Sequence, residues 1–126
     1  MLVSGRSLGA VRLGMTTAEL RALGALQETS RRVDQVTYSL EPYALTVRND
    51  RVTRVAVTVA RHPGGVRVGT LQVRADTPIE DVTAVLPGCG PVELNRGGAV
   101  AVCDGGQTRV MRVGPPGELV IEVLTP

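Results

Sequence analysis

A chain of 126 residues with a net charge of +2 has the length of one ordinary domain, enough to bury a real core. At 43% hydrophobic and 21% charged it does not read as a disordered tail, and it contains no run of about 18 apolar residues that could span a membrane. So small a charge excess leaves no electrostatic footprint for nucleic acid.

The opening stretch, MLVSGRSLGAVRLG, lacks the apolar core of about 7–15 residues that marks a signal peptide. That fits a cytoplasmic protein and a mature exported form alike. In GMTTAELRALG (14–24), Thr16 is placed to cap a helix while Glu19 reaches back to the cap's amide. Leu20 and Leu23 would share one face, and Gly24 offers a stop. Strands are predicted next at 35–40, 43–48, 51–59 and 66–73, with Pro42, the hairpin pair Asn49-Asp50 and HPGG (62–65) between them.

The pattern then starts again. DTPIEDVTAVLPG (76–88) puts Thr77 at a second cap, Pro78 at the first helical position and Glu80 three residues on. Ile79, Val82, Val85 and Leu86 supply the apolar face. Strands are predicted at 91–95, 99–103, 107–113 and 118–124, separated by RGG, DGG and GPPG. The segments SLGAVRL and RVGTLQV, each ahead of a helix start, also match. The fold class expected is therefore α+β: two tandem α-β-β-β-β units, 1–75 and 76–126, forming an antiparallel sheet of roughly eight strands with helices on one face.

Alternation sorts the strand residues. Val36, Tyr38, Leu40, Leu45, Val47, Val55, Val57 and Val59 fall on one side, expected under the helices. Thr37, Ser39, Thr46, Arg48, Arg54, Ala56 and Thr58 fall on the other, expected to face solvent. In the second unit Glu93, Ala101 and Arg109 are assigned to that open face. Two Tyr and no Phe or Trp leave Val, Leu, Ile and Ala to fill the core.

Two tandem units of helix plus four strands, opened by RLGMTTAEL, resemble the β-lactamase inhibitory protein family and the related single-unit lipoproteins of outer-membrane assembly. Residues 11–24 carry the sequence part of that likeness. It implies a bacterial envelope setting, a protein partner bound on the open concave sheet face, and a disulfide within a unit. The sequence alone allows Cys89 and Cys103 to be two reduced core thiols or one bridge; the resemblance implies the bridge, and with it a mature extracytoplasmic form in preference to a cytoplasmic one. The first unit contains no Cys, and aromatic residues are scarce.

Catalytic chemistry finds little footing. His62, the single His, stands in a turn with no nucleophile or carboxylate gathered by sequence, and reads as a solvated loop residue. One His and two Cys match no zinc spacing, and the Gly pairs lie between strands and precede no helix, so neither metal nor cofactor is expected. All 14 basic residues are Arg, which is read first as the mark of a GC-rich genome, with selection for fork-shaped contacts to carboxylates or phosphates as the alternative. Arg48, Arg51 and Arg54 cluster near the 49–50 turn, either as a solubilising edge or as an anchor for an acidic partner. The expectation is a non-enzymatic protein-binding module of inhibitor, immunity or envelope-assembly type, with Thr46, Arg48, Arg51, Arg54, Thr58 and Arg109 on the binding face. The alternative is a small-ligand-binding protein or enzyme with its site in the sheet's concavity.

Overall fold

The computed structural model describes residues 2–4, 7–62, 64–115 and 117–125; Pro63 and Pro116 of the expected turns lie outside them. Three short strands come first, β1 (Leu2–Ser4), β2 (Ser7–Leu8) and β3 (Val11–Arg12). Helix α1 (Thr17–Arg21) follows and begins as its sequence predicts. Thr16 is extended, its hydroxyl accepts from the Glu19 amide at 3.2 Å, and Glu19 accepts from the Thr16 amide at 3.1 Å. Leu20 is buried. Leu23 is exposed instead of sharing its face, because the helix ends after Arg21 and helical spacing ends with it.

A four-strand meander comes next: β4 (Gln27–Arg31), β5 (Val36–Leu40), β6 (Tyr43–Arg48) and β7 (Arg51–Thr58). A cis Glu41–Pro42 bond turns β5 into β6, and Asn49 and Asp50, with φ of 51° and 58°, form the turn into β7. Strand β4 is an addition to the expected set. All five of its residues are exposed, so no apolar period marked it. A single 3-10 turn, Val59–Arg61, ends the meander.

The predicted strand 66–73 is corrected: it is a hairpin, β8 (Val66–Val68) and β9 (Leu71–Val73), turned at Gly69 and Thr70. This hairpin does not join the meander. It pairs with β1 in a second, five-stranded sheet of order β3-β2-β1-β8-β9, in which β1 and β8 run parallel. Its Leu8, Val11, Val66, Val68 and Val73 share one buried cluster with the inner residues of the large sheet. The cover over that sheet is thus the two helices together with a small sheet, not helices alone.

Helix α2 (Ile79–Thr83) begins differently from expectation. Pro78 is the N-cap with ψ of 140°, outside the helix, and no side chain caps the start. The Thr77 hydroxyl instead accepts from the Arg74 amide at 2.8 Å. Ile79 and Val82 are buried and Leu86 is half-buried, while Val85 is exposed past the helix end. A second meander follows, β10 (Glu93–Asn95), β11 (Gly98–Cys103), β12 (Thr108–Val113) and β13 (Glu118–Leu124). Gly98 is required where β11 leaves its turn: at φ of 136° a Cβ there would meet the Arg112 carbonyl at 1.9 Å.

The large sheet is antiparallel throughout, in the order β10-β11-β12-β13-β7-β6-β5-β4. Its two meanders meet last strand to last strand, with Ile121 opposite Val57 and Glu122 opposite Ala56. The inner row expected from alternation is buried from Tyr38 through Val59, with Val36 half-buried. Each such Val or Leu contributes about 1.5–3 kcal/mol by leaving water. Cys89 and Cys103 form a disulfide with an S–S distance of 2.01 Å. It fastens the loop after α2 to the end of β11, beside backbone bonds from Gly90 to the Val102 carbonyl and from Asp104 to the Pro87 carbonyl.

Candidate functional site

The sheet face turned away from helices and small sheet is set by a bulge in β7. Thr46 pairs with Arg54 but Val47 pairs with Val52, so Thr53 is an extra residue. Val52, Val55 and Val57 can then all point inward, and Arg54, Ala56 and Thr58 all point outward. Two polar residues in succession between Val52 and Val55 are the sequence trace of this bulge.

Pairing continues the outer positions into rows that cross both meanders. One row reads Ser39, Ala44, Ala56, Glu122, Arg109, Val102. The next reads Thr58, Val120, Met111, Val100, Glu93. Ala101 does not belong to this face; it pairs with Val110 and is fully buried inside. Arg109 does belong, paired with Val102 on one side and Glu122 on the other.

Glu122 is the residue that the sequence reading missed. Its side chain is 4% exposed, yet it lies on the outer face in the middle of the first row. Arg54 grips one oxygen with Nε at 2.7 Å and Nη2 at 2.6 Å, while Arg109 Nη1 stands 3.7 Å from the other. A buried carboxylate without such partners would be costly. The Arg54 side chain is 35% exposed and that of Arg109 46%, so both still present an edge to solvent. ELVIEVL (118–124) by itself marks Glu122 only as an outward strand position. Its burial depends on β13 pairing with β7, whose residues stand 68 positions away at the Arg54–Glu122 contact.

The other candidate residues are dispersed. Arg48 pairs with Asp34 at 2.7 Å, both about half exposed, a contact worth ~0–1 kcal/mol. Arg51 turns back toward α1 and donates to the Gly14 carbonyl at 3.0 Å. Thr46 is on the outer face but 8% exposed, which leaves little of it for a partner to touch. Thr58 is half-buried and lines a concavity of about 310 Å³ with Ala44, Ala56, Arg54, Arg61, Met111 and Val120. Arg54 also borders a second indentation of about 350 Å³, with Thr46, Arg48 and Leu124. It therefore stands on the ridge between two hollows.

His62 is not the solvated side chain expected. It is half-buried, with a buried Nδ1 that has no hydrogen-bond partner among the described residues. The clear pKa displacements among carboxylates belong to Glu19 and Asp50, at the start of α1, and to Glu28 beside Arg31. The Thr16 amide and hydroxyl hold Glu19 below its ordinary value, and the Thr17 hydroxyl and amide do the same for Asp50. The Arg31 guanidinium lowers Glu28.

No helix of the described residues is long and apolar enough to cross a membrane. Comparison with protein-family models, with curated proteins and with solved structures finds no match for this chain.

Proposed function

We propose that the protein is a non-enzymatic binding module that receives another protein on the open face of its eight-stranded sheet. The observation that carries this reading is the asymmetry of that sheet. One face is sealed by helices and a second sheet. The other carries the Arg54–Glu122–Arg109 charge cluster together with Val100, Val102, Met111, Val113 and Val120, which are half-buried or exposed among the described residues. Apolar residues beside arginines that retain free donors are what an interface core and its rim need.

The tandem α-β4 organisation, and the likeness to inhibitory and envelope-assembly modules, belong to the same proposal. Each helix follows a two-residue hairpin whose glycine has positive φ, Gly9 at 57° and Gly69 at 60°. Each precedes four meandering strands. On this reading the hairpin β8–β9 opens the second unit, so the division moves from residue 75 to before Val66. The disulfide supports an oxidising, extracytoplasmic compartment.

The concavity of about 310 Å³ favours the second reading, a small ligand, since it reaches the lower end of ligand-site volumes. Photo-crosslinking in the source cells separates the two. A crosslinker at Thr58 or Val102 is expected to capture one protein, and a crosslinker at Ala84, just past the end of α2, is not. Capture only from Ala84 would overturn the choice of face.

A further inference from the structure

The concavity on the open face also has a chemistry of its own, and the inference drawn from it rests on the protein-binding reading above. Its floor is low because the cross-strand pair Ala44–Ala56 sits among longer neighbours. Its apolar wall is Met111, Val113 and Val120.

The charges around it are uneven in what they present. Arg61 is exposed and makes no ion pair or hydrogen bond among the described residues. Arg54 commits Nε and Nη2 to Glu122 and leaves Nη1 without a hydrogen bond among the described residues. Arg109, beyond Glu122 and outside the concavity's lining, is held only at 3.7 Å. Within the lining, Arg54 and Arg61 stand against one exposed carboxylate, Glu41, because Glu122 is buried and its charge is already matched. A guanidinium with a free edge recognises a carboxylate by paired hydrogen bonds.

We infer that the concavity accepts an acidic side chain of the partner, held by Arg61 and the free edge of Arg54, with an adjacent apolar side chain lying on Met111, Val113 and Val120. Glu122 acts here as a positioning residue: it fixes Arg54 upright and never meets the partner.

The test is selection of a displayed library of random short peptides against the disulfide-intact protein. Enriched peptides are expected to carry Asp or Glu beside an apolar residue. Changing that acid to its amide is expected to weaken binding about ten- to a hundredfold, the effect of losing a charge-assisted hydrogen bond. Arg61→Glu is expected to do the same, and Ala44→Trp, at an exposed position, to block binding by filling the hollow. Arg67→Glu, on the small sheet, is expected to change nothing. Peptides blocked by Ala44→Trp but without acid preference would overturn the acidic partner while leaving the face as a protein site. An empty selection, or binding indifferent to both Ala44→Trp and Arg61→Glu, would overturn the inference outright. Competition by free glutarate at the concentration of the peptides themselves would overturn it together with the protein-binding reading.

Discussion

The two helix starts hold the same place in the chain, each ahead of a four-strand meander, but they are fastened by different chemistry. Helix α1 is tied by neighbours and a turn: Thr16 and Glu19 cap each other, the Asp50 carboxylate takes the Thr17 hydroxyl and amide at 2.6 and 3.3 Å, and Arg51 holds the Gly14 carbonyl. Helix α2 lacks such a cap. Arg112, reaching from β12, donates to the carbonyls of Ala75, Thr77 and Gly117, and the Cys89–Cys103 bond secures the far end. T-x-x-E acts as a capping signal at α1, where the residue after Thr is helical, and not at α2, where it is extended with ψ of 140°. Pro78, held extended, shifts the start by one residue and leaves the Thr77 hydroxyl to the Arg74 amide.

The strongest way to challenge this contrast is at the junction both halves share. Val57→Asp in β7 and Ile121→Asp in β13 each place a charge in a fully apolar pair and are expected to unfold the whole protein, because an unpaired buried carboxylate costs far more than a domain can spare. Circular dichroism showing one half still folded in either variant would mean the halves stand independently. Next in size, reducing the disulfide is expected to remove ~3 kcal/mol from a loop of this length, seen as a lower melting temperature. Hydrogen exchange should then rise around α2 before α1.

Arg112→Met, which keeps the aliphatic stem, is expected to cost about 1.5–3 kcal/mol through lost charged hydrogen bonds, measured by urea unfolding. Thr16→Ala should cost ~0.5–2 kcal/mol. Thr77→Ala should fall below it, since no cap is lost; equal losses would restore the symmetrical capping that sequence predicts. Arg54→Glu, although at an outward strand position, would press two carboxylates together with Glu122 buried, and is expected to destabilise the sheet.

The smallest effect is in acid. Glu19 and Asp50 titrate below their ordinary values when folded, so their stabilisation is complete above the unfolded pKa and is lost as pH falls through the folded one. The carbonyls and disulfide around α2 do not titrate there. Amide exchange in α1 should therefore accelerate below the usual carboxylate range while α2 keeps its protection. Matched acceleration in both helices would remove the distinction.

Much of the large sheet was legible from sequence because Val and Leu alternate with Thr, Ser and Arg in β5–β7, because β11–β13 are short Val-rich runs, and because Asn49-Asp50 and the glycine turns carry their own backbone geometry. The rest lacked a local signal. Strand β4 is polar at every position and is held by β5, with the Thr29 hydroxyl bonded to the Thr37 carbonyl at 3.2 Å. The hairpin 66–73 has strand composition, and composition does not say which sheet it joins. At the candidate site, the outward position of Arg54 could be read from alternation. Its bond to Glu122 could not, since that needs the pairing of two strands far apart in the chain.

That late pairing has a consequence for how the protein is made. While the chain is emerging, β7 exists well before β13, and during that interval its backbone donors and acceptors form an open edge. Open edges invite the wrong strand. On one face of that waiting edge Arg54 stands as an unmatched cation, disfavouring pairing with another copy of the same arginine-rich strand. Glu122 comes with β13, so the strand that covers this edge also brings the carboxylate that matches the charge. The ion pair that anchors the open face thus sits on the seam where the last strand of the chain joins the first meander, and favours β13 there over a second copy of the arginine-rich strand.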